Sequence, residues 1–416
     1  MKILLIGSGG REHSIAKKLK ENKRVEKIFC APGNGGTALE DKCENIDFSV
    51  NDIEGLLTFA KTNNIELTIV GPEEPLINGI SDRFIKEGLK IFGPKKQGAM
   101  LEGSKCFSKD FMKKYGVKTA KYENFTDYDE ALGYLREQEF PIVIKADGLA
   151  LGKGVYICEN LEQGEEALKD IMVNDIFKGA GKSIVIEEFL QGVEASILSI
   201  TDGKTIKPFI SAKDHKQVFD GGKGPNTGGM GVIAPNTYVT DEVLKEFEET
   251  IMNQTLLGIR EEGFDFKGVI FFGIMITKKG TYLLEYNVRL GDPETQSVLA
   301  LMESDFLELL ESALNGSLDN FNISWKQGYL CNVVLTSKGY PGKYEKGYEI
   351  TIGDKIKDNV IIAGATLKDG VLVTSGGRVL SLLGYGVDKY EAIKNAYDLL
   401  DRVNFYGKYC RFDIGK

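Results

Sequence analysis

Strand-like and helix-like segments alternate through the first hundred residues of the chain. The apolar run KILLIG at 2–7 leads through a glycine turn into a helical segment at 11–20, and further apolar runs follow at 25–30, 66–70 and 89–92. Because parallel strands need crossover connections, this alternation predicts a parallel, doubly wound sheet. Ligands of such sheets bind at the carboxyl ends of the strands. The candidate binding loops are therefore Gly7–Arg11, Pro32–Gly36 and Gly71–Pro75.

Two changes of pattern follow. A helix is predicted at 105–115, with Ser104 as its cap and Gly116 as its stop, and pairs of apolar strands come after it. From about Trp325, short strands separated by glycines precede a final helix. The chain is therefore predicted to be a multidomain protein of α/β and α+β class. The predicted parts are an N-terminal α/β domain at 1–103, a central domain at 104–324 with a flap at about 120–190, and a small β-rich C-terminal domain at 325–416.

Composition narrows the classes of partner. The 416 residues carry a net charge of −9, which argues against nucleic acid or an anionic membrane as the main partner. The six cysteines form no C-x-x-C pair, so we expect neither disulfides nor zinc, and a reducing cytoplasm is the simplest location. No apolar run approaches the roughly 20 residues of a membrane span, and the initial one is too short for a signal peptide. Small molecules are the expected partners.

The segment TYLLEYNVRL at 281–290 suggests a metal site. If it is a strand, then Glu285, Asn287 and Arg289 share one face and apolar side chains occupy the other. Carboxylate and amide oxygens suit Mg²⁺, and an arginine fork suits a carboxylate or phosphate beside it. The alternative is a solvated polar face, although the polar loop GDPETQ that follows favours a site.

A glycine-rich loop separates two predicted strands in FPIVIKADGLALGKGVYIC at 140–158. Lys145 ends the first strand, and Gly148, Gly152, Lys153 and Gly154 form a basic loop. The spacing fails the P-loop pattern, and a strand rather than a helix follows it. The loop is predicted to close over phosphates as a flap, and a simple glycine hairpin is the alternative.

Acidic residues end the apolar run in SIVIEEFLQGVEAS at 183–196. Glu187 and Glu188 are adjacent, with Glu194 shortly after them, and buried carboxylates need partners. Such acids accept hydrogen bonds from an adenine amino group, from ribose hydroxyls or from lysines. The alternative is a set of surface acids on an edge strand.

Two further glycine-rich segments have more than one interpretation. IGSGGREH departs from the dinucleotide fingerprint because Glu12 stands where a third glycine belongs, which makes a nicotinamide site doubtful. The alternative is a phosphate bound at this helix start, beside Arg11. DHKQVFDGGKGPNTGGMG at 214–231 is either a linker or a loop whose bare backbone approaches a small charged ligand.

Nine segments in order resemble one enzyme family from Met1 to about Gly415. They are GSGGREH, APGNGGTA, IVGPEEPL, LEGSKCFSKDFM, PIVIKADGLALGKGV, IVIEEFLQGVEAS, DHKQVFDGGKGPNTGGMG, EYNVRLGDPETQ and TSGGRVL. The chain resembles the phosphoribosylamine–glycine ligase (glycinamide ribonucleotide synthetase) family of the ATP-grasp superfamily. The resemblance implies a central ATP-grasp domain and an N-terminal domain that binds substrate. It also implies ATP-dependent ligation of glycine to 5-phosphoribosylamine through a glycyl phosphate, in purine (IMP) biosynthesis.

The resemblance also implies roles for individual residues. Glu285 and Asn287 would bind Mg²⁺ or Mn²⁺, Arg289 would clamp the reacting carboxylate, and Asp214 would pair with the glycine ammonium. The catalytic residues would be Lys145, Asp214 and Arg289. ATP would be bound by Lys105, Lys145, Gly152, Lys153, Gly154, Glu187, Glu188, Phe189, Leu190 and Glu194. The other substrates would be bound by Gly9, Gly10, Arg11, Asn34, Asp214, Asn226, Thr227, Gly228, Gly229, Arg289, Pro293, Thr295 and Arg378.

Two departures leave alternatives open. The strand GVIFFGIMI carries no acid for a second metal ion, and Gly222 stands where related sequences suggest an acid. Another ATP-grasp carboxylate–amine ligase or carboxylase, a nicotinamide oxidoreductase and a non-catalytic nucleotide sensor are the competing functions. The sequence does not give the oligomeric state, and a monomer is our expectation.

Overall fold

A computed structural model of the chain describes residues 1–149 and 154–416. The first part contains β1 (Lys2–Gly7), α1 (Gly10–Leu19), β2 (Lys27–Pro32), β3 (Cys43–Asn45), α2 (Ile53–Thr62), β4 (Leu67–Val70), α3 (Glu73–Ile77), α4 (Ile80–Lys86), β5 (Ile91–Phe92) and α5 (Lys96–Gly103). Its sheet has the order β3-β2-β1-β4-β5, and every neighbouring pair is parallel. Ile3 faces the core beside Ile15 of α1, whereas Leu4 faces the core beside Leu56 of α2. The predicted doubly wound sheet is confirmed.

The next part is an antiparallel sheet preceded by a long helix. It contains α6 (Lys105–Tyr115), β6 (Tyr122–Phe125), α7 (Tyr128–Leu135), β7 (Ile142–Ala146), β8 (Val155–Cys158), α8 (Leu161–Leu168) and β9 (Ile184–Glu188). As predicted, Ser104 caps α6 by accepting a hydrogen bond from the Phe107 N–H, and Gly116 ends it with φ 69°. The strand order is β6-β9-β7-β8. This flap sheet carries Lys145 and Glu187.

A second sheet supplies the strand with the predicted metal ligands. The elements are β10 (Val193–Thr201), β11 (Ile206–Pro208), β12 (Lys213–Asp214), β13 (Gln217–Phe219), β14 (Lys223–Asn226), β15 (Gly231–Ala234), α9 (Asp241–Phe247), α10 (Asn253–Glu261), β16 (Gly268–Thr277), β17 (Gly280–Asn287), α11 (Glu294–Leu301) and α12 (Phe306–Asn315). The central sheet has the order β11-β10-β16-β17. β17 ends at Asn287, three residues before the predicted end, because the Val288 N–H bonds to the Glu102 carboxylate (2.7 Å) instead of a neighbouring strand.

The C-terminal sheet includes two strands, β12 and β15, from the middle of the chain. Its own elements are β18 (Tyr329–Thr336), β19 (Thr351–Ile352), β20 (Val360–Ile362), β21 (Ala365–Lys368), β22 (Val371–Thr374), β23 (Arg378–Gly386), α13 (Lys389–Asp398) and β24 (Val403–Asn404). The main sheet has the order β12-β15-β18-β23-β20. Segment 214–231 therefore lies between two strands of this sheet and contains the β13–β14 hairpin, so the linker interpretation is wrong. The predicted domain boundaries remain predictions.

None of the helices within 1–149 and 154–416 combines the length and the apolar character needed to cross a membrane.

Candidate active site

A buried carboxylate with two lysine partners marks one end of the site. Glu187, at the end of β9, is 4% exposed. It forms an ion pair with Lys145 of β7, and its second oxygen lies 2.5 Å from Nζ of Lys109 on α6. Burial opposes ionisation of Glu187, but the charges of Lys145 and Lys109 outweigh it and lower its pKa. The cluster is therefore an ionised acid between two cations.

Glu285 and Asn287 lie on β17 beside this cluster, and both side chains are half-buried. Burial would raise the pKa of Glu285, but the charges of Lys216, Lys145 and Lys105 lower it. Among the residues of 1–149 and 154–416, Glu285 nevertheless has no salt bridge, and no group of three or more His, Cys, Asp or Glu side chains is arranged for a metal. An ionised carboxylate near an amide oxygen suits a cation whose other ligands come from a substrate.

The other predicted ATP residues within the described ranges differ in burial and in contacts. Lys105 donates to the Gly148 carbonyl (3.2 Å), and burial lowers its pKa. Glu194 is exposed and pairs with Lys216 (2.6 Å). The rest are the exposed Glu188, the half-buried Phe189 and Leu190, and the buried Gly154. Gly152 and Lys153 lie outside the described residues.

Arg289 is held by acids of the N-terminal sheet region. Its Nε lies 3.1 Å from Glu73, and its Nη2 lies 2.9 Å from Glu102 and 3.0 Å from Oδ1 of Asn287. In the part of the chain that the structure describes, Nη1 contacts only the Leu290 carbonyl, at 3.4 Å. Burial raises the pKa of Glu102 to about 7, although Arg289 opposes this shift. Nη1 is therefore the guanidinium nitrogen best placed to meet a ligand.

Asp214 and Glu294 form a different kind of acid pair. Burial, followed by the charge of Glu294, raises the pKa of Asp214 well above its ordinary value. Burial also raises the pKa of Glu294. Asp214 accepts the His215 N–H (2.7 Å) and Glu294 accepts the Ser196 hydroxyl (3.1 Å), and neither has a salt bridge within 1–149 and 154–416. Two carboxylates without a direct cationic partner in the described ranges have the chemistry to accept hydrogen bonds from a small ammonium group.

The loop Gly291–Pro293 joins the N-terminal and C-terminal parts. Asp292 accepts the Arg11 backbone N–H (3.3 Å) and lies 3.2 Å from Nη2 of Arg378. Arg378 also donates to the carbonyls of Asp292 (2.8 Å) and Gly228. Arg11 itself is buried and donates to Glu12 (2.6 Å) and to the Leu290 carbonyl (3.0 Å). The predicted residues Arg11 and Arg378 therefore meet at one acid.

Asn34 and His13 bind both backbone groups of Ile362 in β20. The Ile362 N–H donates to Nδ1 of His13 (2.8 Å), and Asn34 donates to the Ile362 carbonyl (3.0 Å). Asn34 also donates to the carbonyls of Ser8 and Gly9. Because Nδ1 accepts, the ring proton is on Nε2 and points to Glu40, 3.1 Å away. Burial lowers the pKa of His13, so the ring is neutral.

The glycines of segment 226–229 are required by protein neighbours. A Cβ on Gly228 would lie 2.9 Å from Cζ of Arg378, and one on Gly229 would lie 2.7 Å from Oδ1 of Asp214. The Gly228 N–H donates to the Tyr340 hydroxyl (2.9 Å), and the Gly229 and Thr227 N–H groups have protein acceptors as well. Protein neighbours therefore crowd both glycines, and the approach of this backbone to a small charged ligand stays a prediction. Asn226 is exposed.

Pro293 and Thr295 lie at the start of α11. Both are buried, and the Thr295 hydroxyl donates to the Gly291 carbonyl. Gly9 and Gly10 begin α1, where the Gly9 N–H donates to Glu12 (2.6 Å). These residues shape the same region as Asp292, and their contact with substrate remains a prediction.

The sequence interpretation missed five charged residues of the site. They are Glu73, Glu102, Lys109, Asp292 and Glu294. Glu73 follows a strand end, and Asp292 and Glu294 belong to the polar loop GDPETQ, so a signal existed for these three. Lys109 lies four residues after Lys105 and therefore on the same helix face, which was a signal too.

A flap sheet that carries lysine and glutamate above a central sheet with oxygen ligands is the arrangement of the ATP-grasp class. The phosphoribosylglycinamide synthetase family matches the chain in three parts: its N domain at 1–102, its ATP-grasp (A) domain at 103–295 and its C domain at 330–416. The chain belongs to this family.

Individual relatives are similar over their whole length. The phosphoribosylamine–glycine ligase of Clostridium acetobutylicum is 62% identical over 416 residues, which cover 100% of each chain. That of Fusobacterium nucleatum is 50% identical over 420 residues, covering 100% of this chain and 98% of the relative. The crystal structure of phosphoribosylamine–glycine ligase from Thermotoga maritima has a TM-score of 0.88 at 36% identity and covers 100% of each chain.

Proposed function

We propose that the protein is a phosphoribosylamine–glycine ligase, which joins glycine to 5-phospho-D-ribosylamine and forms glycinamide ribonucleotide, ADP and phosphate in purine biosynthesis. Family membership and full-length similarity to named ligases support this activity. The observation that carries it is the acid pair Asp214 and Glu294, whose charged neighbours include Lys216, which also acts on Glu285, and Arg378, which pairs with Asp292. A site for an ammonium group between a nucleotide end and a sugar-phosphate end suits glycine.

At the nucleotide end, Lys105 and Lys145 are proposed to neutralise ATP phosphates or contact the adenine edge. Segment 187–190 holds the adenine, and Glu194 binds the ribose. The predicted closure of the glycine-rich loop over the phosphates falls largely on residues outside the described ranges and stays a prediction. Phosphoryl transfer needs charge neutralisation and alignment more than a protein nucleophile, so this lysine-rich environment is appropriate.

Glu285 and Asn287 are proposed to hold Mg²⁺ or Mn²⁺. The ionised Glu285 carboxylate, which lacks a salt bridge within the described ranges, and the half-buried Asn287 amide are hard oxygen donors that fit either ion. When bound, the ion neutralises phosphate charge during transfer. Asn287 is oriented for this role by its hydrogen bond from Arg289 (3.0 Å).

At the glycine end, Asp214 and Glu294 bind the ammonium group and Nη1 of Arg289 orients the carboxylate. A glycine carboxylate oxygen attacks the γ-phosphorus, and ADP leaves, which gives glycyl phosphate. The amine of phosphoribosylamine then attacks the acyl carbon, the C–O bond to phosphate breaks, and the amine loses a proton. Gly9, Gly10, Arg11, Asn34, Pro293, Thr295 and Arg378 are proposed to form the pocket for that second substrate, with backbone at 226–229 beside it.

The decisive assay measures phosphate release with ATP and Mg²⁺, adding glycine and phosphoribosylamine singly and together. Full turnover is expected only with both. Equal turnover with another amine or carboxylate acceptor would support a different ATP-grasp ligase. Arg289→Ala should keep ATP binding and lose turnover, whereas a nucleotide sensor would show no turnover in either form.

The enzyme is further proposed to act as a monomer in the cytoplasm. All six cysteines are unpaired thiols, as a reducing compartment requires. Sedimentation equilibrium of the pure protein at micromolar concentration tests the oligomeric state.

A further inference from the structure

The two lysines that contact Glu187 lie on different elements and have different contacts. Lys145 is the penultimate residue of β7 in the flap sheet. Lys109 is 2% exposed and belongs to α6, outside the flap sheet. Its ammonium also donates to the Thr119 hydroxyl (2.8 Å), which in turn donates to the Leu283 carbonyl of β17 (2.6 Å). Lys109 is thus anchored to the central sheet, whereas Lys145 lies where nucleotide phosphates are proposed to bind.

ATP binding creates an electrostatic problem for this cluster. If Lys145 turns toward the phosphates, Glu187 loses one partner, and a buried carboxylate without a cation is costly. Within 1–149 and 154–416, the titratable groups facing Glu187 are Lys145 from β7, Lys109 from α6 and the Tyr122 ring from β6, which also lies 5.6 Å from the Lys109 ammonium. Of these, Lys109 alone is a cation that the phosphates do not compete for.

We infer that Lys109 is a positioning residue for nucleotide binding: it keeps Glu187 neutralised while Lys145 contacts the ATP phosphates. This inference rests on the proposed ATP site. Lys109 itself does not touch the nucleotide, and its effect reaches ATP only through the charge of Glu187. The contact with Thr119 ties Lys109 to β17 of the central sheet.

The test is calorimetric titration of the full-length protein with ATP and Mg²⁺ at several pH values. Lys109→Met should weaken ATP affinity about tenfold at pH 8, equivalent to ~1.4 kcal/mol. ATP binding to this variant should also take up a proton, because Glu187 becomes an unpaired buried acid once Lys145 leaves it. Its affinity should therefore approach that of the wild type as the pH falls, an effect that a general loss of packing does not produce.

A double variant separates charge from packing. In a Glu187→Gln background no carboxylate needs neutralising, so adding Lys109→Met should leave ATP affinity unchanged within about twofold. This comparison remains informative even if Lys109→Met alone fails to fold. The matched control is Lys113→Met, an exposed lysine on the next turn of α6, which should bind ATP like the wild type.

The outcomes distinguish the two proposals. Equal weakening by Lys109→Met in both backgrounds, or no weakening and no proton uptake, overturns the role of Lys109. A wild-type protein that does not bind ATP overturns the proposed function as well.

Discussion

The acids at the two ends of the site have pKa values shifted in opposite directions. At the nucleotide end, lysines lower the pKa values of Glu187 and Glu285. At the glycine end, burial raises the pKa values of Asp214 and Glu294. The fold thus supplies cations to acids that must stay ionised beside phosphates. At the glycine end Lys216 and Arg378 also act on Asp214, but neither forms a salt bridge with it within 1–149 and 154–416, and its pKa stays raised, so we expect the ammonium group of the proposed substrate to supply the missing charge.

The substitution Glu187→Gln should have the largest effect of those that test this contrast. It leaves Lys109 and Lys145 buried without their carboxylate, so we expect the free energy of unfolding to fall by about 3–5 kcal/mol. The pKa of Glu187 is lower in the folded state than in the unfolded state. The difference in the free energy of unfolding between wild type and variant should therefore be greatest above the unfolded-state pKa and disappear as the pH falls through the folded-state pKa. Denaturant unfolding at pH 7 and pH 4 measures it.

The exposed neighbour Glu188 provides the control for that experiment. Glu188→Gln should change the free energy of unfolding by no more than about 0.5 kcal/mol. Equal effects of the two substitutions would contradict the assignment of Glu187 as the neutralised acid.

Asp214→Asn should act in the opposite direction on stability. The glycine KM should rise about 30-fold or more, since the substitution removes the counter-charge of the ammonium group, worth roughly 2–3 kcal/mol. Near pH 7 the free energy of unfolding of the ligand-free protein should increase by about 1 kcal/mol, because an acid with a raised pKa is costly to ionise in the folded state. Below the unfolded-state pKa of Asp214, the free energy of unfolding should not change. Steady-state kinetics and thermal unfolding check the two parts, and a destabilised variant with normal glycine KM would refute both.

Glu294→Gln tests the coupling inside the acid pair. Glycine binding needs ionised Asp214, so in the wild type the affinity should rise with pH through the raised pKa of Asp214. Removing the Glu294 charge lowers that pKa and moves the rise to lower pH, while the plateau affinity falls about fivefold to tenfold from the lost attraction. The measurement is glycine KM against pH, with the exposed Glu303→Gln as control. A shift to higher pH would exclude the coupling.

The smallest expected effect concerns the hydrogen bond from the Ile362 N–H to the uncharged His13 ring. His13→Asn keeps an acceptor near Nδ1, whereas His13→Gln extends toward Glu40 and leaves the buried Ile362 N–H without its acceptor. We expect the KM for phosphoribosylamine to rise about fivefold in His13→Gln, for ~1 kcal/mol, and to stay near the wild-type value in His13→Asn. The reverse order would show that Glu40, rather than Ile362, is the important partner.

Local rules predicted much of the fold from sequence. The cap at Ser104, the stop at Gly116 and the alternation of the first hundred residues depend on neighbours within a few positions, and all three are confirmed. The end of β17 was predicted too late because Glu102, far away in the chain, takes the Val288 N–H.

The charge pattern of the site was less predictable. Polar residues at strand ends indicated where ligands bind, but nothing local distinguishes Glu187, which two lysines neutralise, from Asp214, which has no salt bridge within 1–149 and 154–416. Those states depend on partners from separate elements, as for Lys109 on α6 and Glu187 on β9. The glycines at 228 and 229 have a similar explanation, since Arg378 and Asp214 crowd them from elsewhere in the chain.

The shared C-terminal sheet has a consequence for dissecting the protein. β18 pairs with β15, and β15 with β12, so the last 90 or so residues expressed alone would present the unpaired edge of an eight-residue apolar strand. Such an edge recruits other chains, and a fragment beginning after α12 is expected to aggregate. A usable fragment would have to carry Lys213–Ala234 with it, so gene fusions and split versions of this enzyme are better cut elsewhere.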